Sequence, residues 1–240
     1  MAPTFIKSLT FATIASSNQN KTTPNFYLDQ PIQVSEGFAV KSFTGVNTFL
    51  NIDSRNNQFS FNENDSSGTI RTFSLPNGNY TITTFMAAIK AGLDAQGTVV
   101  YTVANNSLTN IITITGASKT FKILPISNNC YYEAGFDVSV AFSGSQVATN
   151  TYDLSGLKEV NVVCNAFGTG NSVVVNKNLN VICSIPISVG YLGVISYTPP
   201  IVFIDSQTQS ISAFEFICVD ERYRPLTFQN DFSLTLLFEL

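Results

Sequence analysis

From Phe232 to the end, apolar and polar positions alternate. Phe232, Leu234, Leu236, Phe238 and Leu240 fall on one side, and Ser233, Thr235 and Glu239 on the other. A period of two predicts a half-buried β-strand. An unbroken apolar face to the final residue predicts that this strand pairs inside a sheet. Ahead of it, residues 211–219 form a more continuously apolar run. Residues 220–225 then predict a turn that folds the two strands into a hairpin, with Asp220 and Glu221 in solvent.

The same pattern runs through the rest of the chain. Residues 4–15 alternate loosely and predict a strand or an extended arm. Residues 26–34 predict a short strand that Pro31 confines to a sheet edge or an entry segment. Residues 46–52 and 58–61 predict a hairpin around Asp53–Asn57. Residues 69–75 predict a further strand, closed by the turn Pro76-Asn77-Gly78-Asn79. Strands follow at 98–104 and 108–115, with a turn at Asn105-Asn106-Ser107, and then at 119–124. A helical turn is expected at 128–135, a short strand at 138–142 and a polar loop at 143–152. The later strands fall at 156–166, 179–187, 189–197 and 201–204. Residues 167–178, rich in Gly and Asn, predict an exposed loop. One segment breaks the rhythm. Ile82, Phe85, Met86, Ile89 and Leu93 recur at helical spacing, so residues 83–95 predict an amphipathic helix capped by Thr83 or Thr84. About twelve strands, one helix and short turns fit only an antiparallel all-β class.

Composition changes the picture in one respect. Charged residues make up 12% of the 240 and hydrophobic residues 44%, about half the usual charged share of a soluble chain. So weakly charged a surface favours association, and the chain is expected inside an assembly that covers much of it. The net charge is −4 and no basic run occurs. Both argue against a nucleic-acid partner or an anionic membrane surface. No run reaches the roughly 18 apolar residues of a membrane span. Cys130, Cys164, Cys183 and Cys218 are widely spaced in or beside apolar runs. They are read as small buried hydrophobes in a chain made in a reducing compartment.

Candidate chemistry is sparse. The chain has no histidine, which removes Ser-His-Asp and Cys-His catalysis and His-ligated metal sites together. Gly-rich phosphate loops and the nucleophile-elbow motif are absent from the sequence. Asp153 with Glu159, or Asp220 with Glu221, would supply carboxylates for a glycosidase, but nothing in the sequence pairs them. Asn62, Glu63 and Asp65 offer an unspecific set of calcium oxygens. No catalytic, cofactor-binding or metal-ligating residue is therefore assigned, and the chain is expected not to be an enzyme. Arg222, Tyr223 and Arg224 are the candidate inter-subunit contact, because Arg and Tyr are enriched where subunits meet.

Two segments together resemble a family. One is the strand, Gly-x-Tyr turn and amphipathic helix of residues 69–89. The other is the terminal stretch 211–240 with its Phe-x-Leu-x-Leu strand. The pairing resembles the single jelly-roll penton or minor capsid proteins of double-stranded DNA viruses, the lineage that includes virophages, polinton-like viruses and large DNA viruses. That family places Gly or Asn in the last turn, where this chain has Glu221-Arg222-Tyr223-Arg224-Pro225. The resemblance, which spans about residues 38–240, implies a single jelly-roll antiparallel β-sandwich, and the domain is placed at residues 26–240, preceded by an arm or extended segment at 1–25. It implies a homopentamer at capsid vertices that contacts neighbours such as a major capsid protein. It implies location in the virion after synthesis in the host cytoplasm. A receptor-binding head or fibre knob, and a lectin-like jelly roll, are the alternatives from other classes.

Overall fold

A computed structural model describes residues 6–15, 21–34, 37–64, 68–136, 141–167, 172–174, 177–205 and 210–240. In chain order the first strands are β1 (Ile6–Ala12), β2 (Asn25–Gln33) and β3 (Gly37–Val46). Next come β4 (Gln58–Glu63), β5 (Ile70–Ser74), the helix α1 (Ile82–Gln96), β6 (Tyr101–Asn106), β7 (Ile111–Gly116), β8 (Phe121–Leu124) and β9 (Ser145–Val147). The rest are β10 (Glu159–Cys164), β11 (Ser172–Val174), β12 (Lys177–Leu179), β13 (Val181–Pro186), β14 (Val194–Tyr197), β15 (Ile204–Asp205), β16 (Ser210–Val219) and β17 (Ser233–Glu239). Every named strand pair is antiparallel. The chain is all-β, a jelly-roll sandwich with a single helix among the described residues.

The chain packs as two compact units, each with its own core. Met1–Phe49 and Leu157–Leu240 make the first, and Leu50–Gly156 the second. The stretch 26–240 thus carries two separate hydrophobic clusters. In the first unit one sheet runs β1-β17-β3-β14, with β15 also on β3, and the other runs β13-β10-β16-β2. Phenylalanines from both sheets fill the space between. The Phe11 ring, from β1, lies 4.8 Å from Phe214 and 5.0 Å from Phe216, both from β16. Phe38 stacks on Phe167 at 3.6 Å. The edge-on contact of Phe11 with Phe216 adds about 0.5–1.5 kcal/mol beyond area burial.

The terminal strand β17 is interior, between β1 and β3, as its alternation requires. The hairpin expected with 211–219 does not form. β16 belongs to the opposite sheet. The connection carries Leu226 and Phe228, and both are buried with Phe232 in the core. A tight return to β16 would leave these side chains in water, so the chain crosses the sandwich. Leu240 departs from the apolar face and is 40% exposed.

Residues 37–46 form β3, the strand at the centre of the first sheet, yet the period-two pattern does not pick them out. Val40 and Phe43 both enter the core although they are three positions apart. The register with β17 shifts between Thr235 and Leu236, which pair with Ser42 and Val40 and leave Lys41 as the extra, exposed residue. A bulge thus restores the facing of the strand. β2 holds Pro31 at the edge of its sheet, where a missing N–H costs least. The β1 segment, within the expected arm or extended region, is the edge strand on β17.

In the second unit, sheets β5-β4-β8 and β6-β7-β9 share a core with α1. The helix cap lies two or three residues earlier than expected. Thr81 is the N-cap and forms a capping box with Thr84. Phe85, Ile89 and Leu93 are its fully buried stripe. Gly92 permits close approach to the sheet, since a Cβ there would lie 2.1 Å from the Phe73 ring. The expected hairpin of 46–52 with 58–61 is also absent. Ile52 bridges to Gly78, and β4 pairs with β5 and β8. Asn47 instead exchanges backbone bonds with the Gly190–Gly193 turn of the first unit. β9 occupies part of the expected loop 143–152, and β11 with β12 part of the expected loop 167–178. Most of the expected strand 138–142 lies outside the described residues.

Removing residues 236–240 should leave β1 and β3 without most of their shared neighbour and give insoluble protein. Loss of a single buried Leu already costs about 2–5 kcal/mol, and whole domains hold only about 5–15 kcal/mol. Removing Leu240 alone should leave the unfolding temperature unchanged. Expression followed by thermal melts checks both, and soluble, cooperatively folding 1–235 would show β17 to be peripheral.

Candidate contact site at the Asp220 turn

The turn after β16 is built around one carboxylate. Asp220 is fully buried rather than solvated as expected. Its Oδ1 accepts the backbone N–H of Arg222 at 2.9 Å and of Arg224 at 2.8 Å. Its Oδ2 accepts Arg224 Nε at 2.7 Å, so the carboxylate is paired as well as hydrogen-bonded. The Asp220 N–H donates to the Arg224 carbonyl, and Tyr223 N–H donates to the Asp220 carbonyl. An Asx-type arrangement of this sort replaces the backbone ladder that the chain has just left. Buried Asn161 extends the network. It lies beside Val219 in the β10–β16 register and accepts the Ser184 hydroxyl.

The departure from the family pattern now has a structural account. Tyr223 takes the left-handed conformation, with φ of +58°. Gly or Asn adopts that region at little cost, whereas a residue with a bulkier Cβ carries about 1–2 kcal/mol. The Asp220 bonds over-determine the turn and hold Tyr223 there. Of the three candidate contact residues, Arg222 is exposed, Tyr223 is half-buried, and Arg224 is half-buried with its guanidinium on Asp220. The structure therefore brings Arg222, Tyr223 and Arg224 onto one rigid turn. The residue that fixes them, Asp220, was missed as an organiser. Its sequence signal was an acid four residues before an Arg across a turn.

The carboxylates of the other candidate pair each have local partners of their own. Asp153 belongs to the second unit and accepts the Ser155 amide and hydroxyl, while Glu159 belongs to the first and accepts Asn161. Asn62 donates to the Gly68 carbonyl, Glu63 is the next residue along β4, and Asp65 lies outside the described residues. Neighbouring strand residues face opposite ways, so Asn62 and Glu63 do not share a cation. Among the described residues no group of three His, Cys, Asp or Glu side chains could hold a metal ion.

Glu63 is instead the buried anion of the second core. It accepts Thr98 N–H, the Thr98 hydroxyl at 2.7 Å and the Tyr101 hydroxyl at 2.7 Å, with Arg71 at 3.5 Å and Lys119 at 3.9 Å. Burial raises its proton affinity, but the Thr98 and Tyr101 hydrogen bonds and the Arg71 charge outweigh it. The carboxyl is held below its ordinary value. Tyr101 moves the other way, pushed up by burial and by Glu63. The four cysteines are free thiols. Burial pushes Cys164 and Cys183 up to about 12 and Cys130 and Cys218 further. At neutral pH they are unreactive thiols, in keeping with their reading as small hydrophobes.

With this geometry in view, the chain belongs by fold with the jelly-roll proteins. No family description matches its sequence, and no curated protein matches it. A solved structure, the crystal structure of the selenomethionine-labelled mavirus penton protein, has the same fold. The match covers 98% of this chain and 99% of that one, with a TM-score of 0.50 and 11% sequence identity.

Two outcomes follow from the buried carboxylates. Asp220→Ala should lower stability by about 2–3 kcal/mol, because three donors lose a charged acceptor, and denaturant unfolding measures this. For Glu63, the lowered value means that its stabilising contribution is complete above about pH 4.3, the unfolded carboxylate value, and is lost as pH falls through the folded one. The wild-type acid-unfolding limb should therefore flatten in Glu63→Gln, which should also start from a lower stability at pH 7. Equal acid slopes in the two proteins would remove Glu63 from that role.

Proposed function

We propose that this chain is a penton, the vertex protein of a viral capsid, assembling as a homopentamer through contacts that involve no catalysis. The observation that carries this reading is the shared fold with the mavirus penton protein along the full length of both chains. The low charge supports it, since a chain with only 12% charged residues suits burial between subunits better than exposure as a monomer. A closed ring of like copies is the economical way to cover such side faces.

In this reading the Asp220 turn presents Arg222, Tyr223 and Arg224 to a neighbouring subunit or to an adjoining capsid protein such as a major capsid protein. A turn held at five points loses little entropy when it docks. The protein acts in the virion, after synthesis in the host cytoplasm, without nucleic acid as a partner. No helix among the described residues is long and apolar enough to cross a membrane.

Light scattering of the purified protein and class averages of negatively stained particles should give the mass of five chains and five-fold symmetry. Arg222→Ala should weaken association by up to about 1 kcal/mol, the scale of an exposed charged contact, without lowering the unfolding temperature. A chain that stays monomeric at high concentration and never enters particles would overturn the reading.

A further inference from the structure

Among the described residues, the β17-containing sheet of the first unit has two open edges. In the order β1-β17-β3-β14, among the described residues, β1 has only β17 beside it and β14 only β3. Soluble proteins blunt such edges with charge, proline or a covering loop. Around β14 the charge is sparse: residues 178–204 contain no Asp, Glu, Lys or Arg, and Asp205 of β15 is the first charge after it. The β14 side carries exposed aliphatic side chains instead: Leu192 (61%), Val194 (59%), Ile201 and Val202. The β1 side carries exposed Ile6 and Ile14.

The β14 side is also held stiffly. Asn47 N–H donates to the Gly193 carbonyl, Leu192 N–H donates to the Asn47 carbonyl, and Asn47 Nδ2 donates to the Val189 carbonyl. These bonds fix the turn that leads into β14, and Leu192 takes the left-handed conformation there, with φ of +65°. A strained backbone that places Tyr191 and Leu192 in solvent is not how a monomer covers its apolar residues.

The strand count decides what fits this edge. Each neighbour in the four-strand order is antiparallel to the next, so β1 and β14 run in opposite directions. A second copy rotated about an axis along the strands would set its β1 against this β14 antiparallel, and the alternation would continue without a break. Donors and acceptors left open on one edge then meet those of the other. Such a contact joins unlike edges, so it is heterologous, and a rotation of one fifth of a turn closes it into a ring of about five copies.

Resting on the pentameric reading above, we propose that the subunit interface is this edge-to-edge junction, β14 with Leu192, Val194, Ile201 and Val202 of one copy against β1 with Ile6 of the next. The partner is a second copy of this chain.

Ser8 and Ser196 are both exposed and alternate with the core-facing Leu9 and Ile195. Single variants Ser8→Cys and Ser196→Cys, mixed and mildly oxidised, should give a disulfide-linked heterodimer, while each alone should remain largely uncross-linked. Val194→Lys should convert the ring to monomer at an unchanged unfolding temperature. Efficient cross-linking of either variant with itself would show a two-fold contact and overturn the proposal. A ring that persists in Val194→Lys, without mixed cross-links, would overturn the junction and leave the pentamer standing. A wild-type protein that is monomeric throughout would overturn the pentamer, and the junction with it.

Discussion

The phenylalanine layer between the two sheets of the first unit is the constraint that the remaining architecture obeys. Phe11, Phe38 and Phe238 come from one sheet, Phe214 and Phe216 from the other, and Phe167 from the segment that follows β10. Phe43, Phe49, Phe228 and Phe232 extend the layer. Rings this large fit only when both sheets are in place, so neither sheet buries its inner face alone. The layer also routes the chain. Leu226 and Phe228 must reach it, and that requirement carries the polypeptide across the sandwich after β16.

The two buried carboxylates enter these cores fully engaged. Asp220 is neutralised by Arg224 and saturated by backbone donors, and Glu63 is surrounded by hydroxyls, an amide and two cations. Burial of a lone carboxylate would be prohibitive. Paired and hydrogen-bonded, each fixes local geometry that packing alone leaves open: the turn after β16, and the approach of β6 to β4. The chain places these two anions inside, while Lys7, Lys41, Glu221 and Arg222 lie at its surface.

The contact surfaces proposed for this protein belong to the first unit. The Asp220 turn closes one end of the β10–β16 pair, and the β14 and β1 edges terminate the other sheet. Each is a rigid feature held by backbone hydrogen bonds.

Much of the fold was legible along the chain because period-two and period-3.6 patterns are local. The alternation of Phe232 to Phe238, the helical stripe Phe85-Ile89-Leu93 and the edge role of Pro31 in β2 all followed from residue order. The absence of histidine and the scatter of the cysteines likewise bounded the chemistry before any coordinates. Other features depend on residues far apart in sequence. The central strand β3 was illegible because the bulge at Lys41 shifts its phase, and the facing of Val40 and Phe43 is defined only against β17. The crossing of 226–232 depends on a core assembled from both ends of the chain. Asp220 was read as a solvated turn residue because its burial comes from the packing around it. Leu192 gave no sign of its left-handed backbone, which the hydrogen bonds of Asn47 impose. The sequence by itself determined which residues seek the interior and with what period. The tertiary structure decided which sheet each strand joins, since pairing partners are chosen by the fit of a shared core and not by any one segment.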